Sequence, residues 1–245
     1  DIADGIALSM KYLEADKAVV CIAASDTEAV EIMGEAVRRH SGIYVKTLKD
    51  KYVPENRDIL EYELTGEEDN SEVLFFDIRA MAQIGSYFRT GMPLVSKRVT
   101  VDGDAVAHPK NVIVPIGARI CDVIEFCGGY KQEPRKILMG GPMMGRAIVS
   151  DEMPVVKNNN AILAFSKEKA GVKEETACIN CGRCHRACPF GLIPTALAKA
   201  YEAKDAQALS DLQVMQCMEC GSCSYICPAR RPLSFMNKLG KAIVK

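Results

Sequence analysis

The stretch that decides the fold of this 245-residue chain reads Cys178-Ile-Asn-Cys-Gly-Arg-Cys-His-Arg-Ala-Cys-Pro189. The same pattern returns 39 residues later as Cys217-Met-Glu-Cys-Gly-Ser-Cys-Ser-Tyr-Ile-Cys-Pro228. Both runs follow C-x2-C-x2-C-x3-C-P, and together they contain eight of the eleven cysteines. Three thiolates spaced by two residues can hold three corners of an iron–sulfur cube, while the cysteine before the proline ligates the other cube.

The two runs therefore predict two [4Fe–4S] clusters with crossed ligation. The expected ligands of the first cluster are Cys178, Cys181, Cys184 and Cys227. The expected ligands of the second cluster are Cys217, Cys220, Cys223 and Cys188. Gly182 and Gly221 occupy matching positions, where a missing Cβ lets the backbone approach the sulfides. The pattern predicts no catalytic side chain.

Other uses of these cysteines are less consistent with the spacing. Zinc takes four ligands in a closed tetrahedron and does not require a third and a fourth thiol in each run. The segment from Cys181 to His185 matches the C-x-x-C-H pattern of c-type haem attachment, but that use would leave two thiols of the run without a role. A disulfide framework requires an exported chain, and no export segment is visible. We interpret His185 as a solvated or neighbouring residue, not a ligand.

The composition is that of an ordinary globular chain. The formal net charge is −1 and 48% of the residues are hydrophobic, so the sequence has no electrostatic footprint for nucleic acid. No run of 18 apolar residues is present. Free thiols together with iron–sulfur runs favour a reducing compartment and hence the cytoplasm. Because the chain opens at Asp1 and enters helix-like sequence at once, we expect a fragment that lacks its natural N-terminal portion.

Residues 1–66 alternate helix and strand patterns. A helical face between Ile2 and Leu13 is followed by the apolar run 17–24, which is typical of a buried parallel strand. Asp26 or Thr27 can cap a second helix, which we expect to end near residue 39, before a strand over 42–48. The sequence therefore predicts a βαβ unit. Its Cys21 is interpreted as a core residue.

Residues 97–146 predict a small β-grasp-like α+β module. Two strands come first, then a helix introduced by Gly117 and a further strand over 136–139. Cys121 and Cys127 are interpreted as packing residues of this helix. Strands are also expected at Val155 and over 162–165, before a charged linker over 167–176.

The run Gly140-Gly-Pro-Met-Met-Gly145 has two interpretations. It could bind phosphate, but it lacks the lysine of the phosphate loop and the spacing of the dinucleotide fingerprint. A glycine turn packed by two methionines is favoured.

The cysteine region itself is predicted to be helical, with helices over 193–203 and 206–215 and a terminal helix after Pro232. That last helix is expected to cover the cluster domain, the alternative being a docking surface for a partner or membrane.

Three motifs in this order resemble one family. They are Thr100-Val-Asp-Gly-Asp-Ala-Val-Ala-His-Pro109, the glycine run Gly140–Gly145, and the two C-P runs. Together they resemble the C subunit of Rnf-type electron-transport complexes over essentially the whole chain. In that family FMN accepts hydride from NADH, and iron–sulfur clusters pass single electrons to membrane partners.

The resemblance implies four regions. Residues 1–96 would be part of an α/β Rossmann-like flavin domain, related to the FMN- and NADH-binding domain of the complex I flavoprotein subunit. Residues 97–146 would be an SLBB β-grasp module, and residues 147–172 its return strands and linker. Residues 173–245 would be an α-helical dicluster ferredoxin domain. The expected protein is an electron-transfer subunit of an oxidoreductase or translocase complex, associated peripherally with the inner face of the cell membrane.

The expected partners and the related proteins follow from the same resemblance. Other subunits of the membrane complex are the expected partners, with ferredoxin and NADH reached through the missing N-terminal part. Relatives that share the architecture include the cobalamin reductase of propanediol metabolism and an electron-transfer protein associated with proline reductase. A non-catalytic adaptor with structural clusters is an alternative of another class.

Two departures concern the flavin. The family's glycine-rich loop for FMN and NADH lies upstream of Asp1, so this chain has no complete NADH or FMN site and no assigned flavin-binding residue. Where the family has an Asn-Val-Gly-Thr-like stretch, this chain reads Asp77-Ile-Arg-Ala-Met81. We therefore expect FMN only in the full-length protein.

The charges beside the two cysteine runs differ. Arg183 and Arg186 lie beside the first run and Glu219 lies in the second, which predicts a higher reduction potential for the first cluster.

Overall fold

The structure, a computed structural model, describes residues 1–50, 52, 56–66, 73–171 and 174–244. The chain divides into two compact units, Asp1–Val95 and Ser96–Lys245. The expected domain boundary between residues 172 and 173, and the middle of the charged linker over 167–176, lie outside the described residues.

The first unit contains the βαβ arrangement predicted from its sequence. Its elements are α1 (Ile2–Leu13), β1 (Ala18–Ala23), α2 (Thr27–Val37), β2 (Ile43–Leu48), α3 (Arg57–Thr65) and α4 (Ile78–Thr90). Strands β1 and β2 pair in parallel, with Ala18 opposite Ile43. Helix α2 begins after Asp26, whose carboxylate accepts a hydrogen bond from the backbone N–H of Ala29 at 3.1 Å. The described sheet of this unit has two strands, which gives a βαβ unit and does not by itself define a flavin fold.

Helices α1 and α4 of this unit cross at glycines. A Cβ on Gly5 would lie 1.9 Å from the carbonyl oxygen of Met81, and one on Gly85 would lie 2.1 Å from that of Asp1. The backbones therefore touch, because neither position carries a side chain. A buried apolar cluster fills the space between the helices and the strands; it comprises Ile6, Val20, Met33, Val37, Ile43 and Met81.

The second unit opens with a mixed sheet. Its elements are β3 (Ser96–Asp102), β4 (Lys110–Pro115), α5 (Ile120–Phe126), β5 (Lys136–Met139), β6 (Arg146–Ile148), β7 (Ala161–Phe165) and the short α6 (Lys167–Ala170). The strand order is β4-β3-β7-β5-β6, with β3 and β7 parallel and the other pairs antiparallel. Helix α5 contributes Ile120, Val123 and Ile124 to the core of this sheet. The mixed strands and helix predicted for this region are therefore present.

Of the two return strands expected here, one forms. Strand β7 lies at the centre of the sheet, whereas Val155 belongs to no strand. Val155 is nevertheless fully buried, and its N–H donates to the carbonyl oxygen of Ala118 at 2.8 Å. Its apolar character therefore reflects burial of a loop residue in the core and not pairing in the sheet.

The cysteine region is helical, as predicted. Its helices are α7 (Arg183–Arg186), α8 (Pro194–Glu202), α9 (Ala206–Asp211), a 3₁₀ turn (Val214–Gln216), α10 (Ser222–Tyr225) and α11 (Leu233–Val244). Helix α11 packs on α8 and α9, and a Cβ on its Gly240 would lie 3.0 Å from Leu209. The terminal helix thus covers the cluster domain. In the part of the chain that the structure describes, no helix is both long and apolar enough to cross a membrane.

Candidate metal centre

The 39-residue repeat of the sequence is also a repeat of backbone conformation. Three pairs of positions, each 39 residues apart, adopt left-handed φ: Asn180 and Glu219 (53° and 59°), Gly182 and Gly221 (69° and 83°), and Gly191 and Arg230 (62° and 56°). After Gly182 the chain enters the single helical turn α7, and after Gly221 it enters the single helical turn α10. Because left-handed φ is costly for Glu and Arg, its presence at these positions indicates that the cysteine spacing imposes the same trace twice.

The eight thiols line two separate cavities. Cavity I is lined by Cys178, Cys181, Cys184 and Cys227, and encloses about 280 Å³ of space that is partly open to solvent. Cavity II is lined by Cys217, Cys220, Cys223 and Cys188, and encloses about 330 Å³, also partly open. In each cavity the cysteine that precedes the proline comes from the other run. The two groups have the same membership as the ligand sets expected from the sequence.

The donor set suits a polynuclear cluster. In the part of the chain that the structure describes, no three or more His, Cys, Asp or Glu side chains are grouped closely enough to hold a metal ion. Four thiols instead stand around each cavity, one for each iron corner of a cube. The remaining wall of cavity II is mainly apolar, with Pro189, Phe190, Leu192, Pro194 and Met218. The residues present therefore fit [4Fe–4S] clusters.

Burial affects the thiols of cavity II most. Desolvation, reinforced by Cys217 and Cys220, raises the pKa of Cys223 to about 12. Desolvation also raises the pKa of Cys188. Cluster assembly requires thiolates, so it must displace protons from these groups and is favoured as pH rises.

The first cysteine of each run accepts a hydrogen bond at sulfur, but from different donors. The backbone N–H of Asn180 donates to Cys178 Sγ at 3.4 Å. Asn237 Nδ2, on helix α11, donates to Cys217 Sγ at 3.8 Å. Hydrogen bonds to sulfur tune iron–sulfur potentials, so the two cavities differ in a property that bears on redox chemistry.

The charge contrast expected between the two cysteine runs is weaker than predicted, because the negative charge of the second run is neutralised by ion pairs. Glu219 is paired with Lys238 at 3.2 Å and Lys241 at 3.1 Å. Burial opposes ionisation of Glu219, but the hydrogen bonds and charges of these lysines outweigh it and hold its pKa below the usual range. Arg183 is exposed and has no ion pair among the described residues, while Arg186 donates to the Cys181 carbonyl oxygen at 3.4 Å. The contrast expected from the sequence did not include the two lysines, because they approach from helix α11.

The two cysteine loops also differ in cover. Cys181 is exposed, whereas the equivalent Cys220 is 8% exposed. A Cβ on Gly221 would lie 3.2 Å from the Cβ of Met143, while one on Gly182 would meet only the flexible guanidinium of Arg186 at 3.4 Å. The Gly140–Gly145 turn of the mixed-sheet module therefore packs against the loop of cavity II. Its sequence predicted a turn packed by methionines but gave no signal for this contact.

The other cysteines and His185 lie outside the cavities. Cys127 is fully buried in the core of the mixed-sheet module, as its packing interpretation predicts, whereas Cys21 in β1 and Cys121 in α5 are only half-buried. Burial raises the pKa of both Cys21 and Cys127. The ring of His185 forms a hydrogen bond with the carbonyl of Leu192 at 3.0 Å and lines neither cavity.

The Asp77–Met81 stretch begins helix α4. Asp77 caps the helix by accepting a hydrogen bond from the backbone N–H of Arg79 at 2.8 Å. The guanidinium of Arg79 also pairs with the same carboxylate. The charge of this acid is therefore compensated locally by its neighbour.

Comparisons with known proteins agree with this organisation. Residues 98–147 match the SLBB domain, and residues 170–228 match the 4Fe-4S dicluster domain. The chain is 37% identical to the C subunit of the proton-translocating ferredoxin:NAD(+) oxidoreductase complex of Clostridium ljungdahlii, over 79% of this chain and 44% of that protein. It is 34% identical to the C subunit of the ion-translocating oxidoreductase complex of Rhodobacter capsulatus, over 98% of this chain and 48% of that protein. The chain spans about half the length of the curated relatives it matches.

A solved structure shares the fold. An NAD+-reducing [NiFe]-hydrogenase in the H2-reduced state superposes with a TM-score of 0.63 at 12% identity, covering 99% of this chain and 49% of that one. At this identity the likeness concerns the fold alone. The family resemblance stated from the three sequence motifs is confirmed by the curated relatives.

Proposed function

We propose that this chain, a homologue of the C subunits of Rnf-type ion-translocating oxidoreductases, passes single electrons through two [4Fe–4S] clusters. Cys178, Cys181, Cys184 and Cys227 would hold the first cluster, and Cys217, Cys220, Cys223 and Cys188 the second. The observation that carries this proposal is the grouping of four thiols around each cavity, with Cys188 and Cys227 exchanged. Such clusters supply reversible one-electron steps over a wide range of potentials.

Packing between the cavities supports electron transfer from one cluster to the other. Cys184 of cavity I and Cys223 of cavity II belong to one buried cluster, together with Ala198 and Leu233. One proposed sulfur ligand of each centre thus belongs to the same apolar core. Close packing of this kind leaves little room for water between these two ligands.

Cavity I is proposed as the end that exchanges electrons with a partner protein. Its Cys181 is exposed, and the neighbouring Ile179 is 66% exposed. Arg183 and Arg230 are exposed beside it and have no ion pair among the described residues. A positive rim around an apolar contact suits an acidic one-electron carrier of the ferredoxin class, and the name of the Clostridium ljungdahlii relative includes ferredoxin. Peripheral association with a membrane complex belongs to the same proposal.

The NADH- and FMN-dependent step is proposed to need residues beyond this chain. The described βαβ unit can supply one wall of a flavin site, but it contains no glycine-rich nest for the phosphate. We therefore expect that the chain does not bind FMN stoichiometrically. Titration with FMN, followed by flavin fluorescence, tests this. Saturable one-to-one binding at low micromolar concentration would contradict it.

Anaerobic reconstitution tests the main proposal. We expect about eight irons and about eight sulfides per chain, a broad brown absorbance, and reduced clusters visible by EPR. Zinc in place of iron would refute the cluster assignment. Clusters that form but resist reduction down to about −700 mV, the low end of the known range, would instead indicate an adaptor with structural clusters.

A further inference from the structure

The 39-residue repeat makes helix α8 the counterpart of helix α11, and the two helices differ in polarity at a position beside the second cavity. Both helices start six residues after the cysteine that precedes the proline, at Pro194 and Leu233. One residue further on, Thr195 lines cavity I and Ser234 lines cavity II, as equivalent positions should. One helical turn beyond Ser234, Asn237 also lines cavity II.

The counterpart of Asn237 in the first helix carries no polar group. It is Ala198, which is fully buried and does not line cavity I. An amide therefore faces the second cavity only. Asn237 is recognised as unusual only when α11 is aligned with α8 through the repeat, because the sequence pattern of α11 alone does not distinguish it.

Asn237 is in an unusual environment for an amide. The residue is 1% exposed, and its Nδ2 lies 3.8 Å from Cys217 Sγ. Its Oδ1 is buried and has no hydrogen-bond partner among the described residues. Burying an amide with an unpaired oxygen reduces stability, and an apolar residue such as the alanine of α8 would avoid that cost. The interaction that offsets it in this structure is the N–H donated to sulfur.

We infer that Asn237 tunes the reduction potential of the cluster proposed for cavity II. Reduction adds negative charge that is shared with the ligand sulfurs, so a donor aimed at Cys217 Sγ stabilises the reduced state and raises the potential. In cavity I the equivalent sulfur, that of Cys178, receives a backbone donor instead. A side-chain substitution can therefore remove a donor to the first cysteine of the run from cavity II alone. This inference rests on the proposed function.

The test uses Asn237→Leu, which keeps the number and branching of the side-chain heavy atoms and removes the donor. Ser234→Ala is the matched control, because Ser234 lines the same cavity and, among the described residues, its side chain makes no hydrogen bond to a ligand sulfur. The whole chain is reconstituted anaerobically, and both potentials are measured by titration followed by EPR. Cys181→Ala and Cys220→Ala, each at the centre of its own loop, assign the two signals. We expect N237L to lower the potential of cavity II and leave that of cavity I in place, while S234A moves neither.

The outcomes separate this inference from the function on which it rests. A parent chain that takes up no iron would overturn the proposed function. A parent with full iron content, together with an N237L variant whose cavity II potential is unchanged, would overturn the role of Asn237 alone. If N237L fails to take up iron, Asn237→Ala adds no bulk and carries the same test. An unchanged potential in N237A would again refute the inference, and a lowered one would support it.

Discussion

The loop around Cys178–Cys184 and the loop around Cys217–Cys223 share one backbone trace but lie in different surroundings. The first exposes Cys181 and has an arginine beside it that is unpaired among the described residues, Arg183. The second is covered by the turn that contains Met143, and its acid Glu219 is bound by two lysines of α11. The cysteine spacing thus determines the cavities, and residues outside the repeat make the two centres different. The following experiments test how far that division holds.

Removing a cysteine that precedes a proline should have the largest effect. With crossed ligation, Cys188→Ala is expected to abolish the cavity II cluster while the centre beside it in sequence survives. Cys227→Ala should have the converse effect. Iron content should fall by about half in each variant, and EPR should show which signal is lost. Cys121→Ala, a thiol that lines neither cavity, is the control. Loss of the neighbouring cluster instead would mean that each run ligates its own cube.

The fold and the cavities were predictable from sequence to the extent that they depend on local pattern. The spacing of the cysteines predicted both thiol groups, and the apolar run over 17–24 predicted β1, because a tight loop and a buried strand each arise from neighbouring residues. The packing of Met143 against Gly221 and the pairing of Glu219 with Lys241 could not be predicted in this way. They join segments that become neighbours only in the folded chain. Val155 shows the opposite error, since its burial in a loop looked like that of a strand.

The cover of the second loop predicts unequal effects of a matched pair of glycine substitutions. Gly182→Ala should cost about 1–2 kcal/mol, the penalty for left-handed φ, because its neighbour Arg186 can move aside. Gly221→Ala should cost more, since the new methyl group would lie 3.2 Å from the Cβ of Met143, which is fixed to the backbone. Denaturant unfolding of the cluster-loaded chain measures both. Equal losses of stability would show that the turn over 140–145 is not held against this loop.

Removing one of the two lysine partners of Glu219 should restore part of the charge contrast between the runs that the sequence suggested. Lys241→Ala leaves Glu219 with Lys238 only, so the potential of cavity II should fall while that of cavity I stays unchanged. The expected shift is on the order of 10–40 mV, because a partly exposed pair contributes up to about 1 kcal/mol and a tenfold change corresponds to about 59 mV for one electron. Adding Glu219→Gln to the variant should reverse the shift. A potential that does not respond to either change would place Glu219 electrostatically remote from the cluster.

The smallest expected effect concerns the open rim of the first loop and leaves both clusters intact. Arg183→Glu reverses an exposed charge beside cavity I, so it should slow electron exchange with an acidic carrier of the ferredoxin class without changing iron content or potentials. Lys199→Glu is the matched control, since Lys199 is also exposed, lines neither cavity and has no ion pair among the described residues. Stopped-flow reduction by the carrier at low ionic strength should show a several-fold lower rate for R183E. Added salt should remove the difference, because exposed charges farther apart than about 10 Å are largely screened at 0.1 M. If K199E slows the exchange as much as R183E does, the carrier responds to the overall charge of the chain and cavity I is not the docking end. If neither variant responds to salt, the contact is not steered by these charges, and the exposed Ile179 becomes the remaining feature of the first loop that could define it.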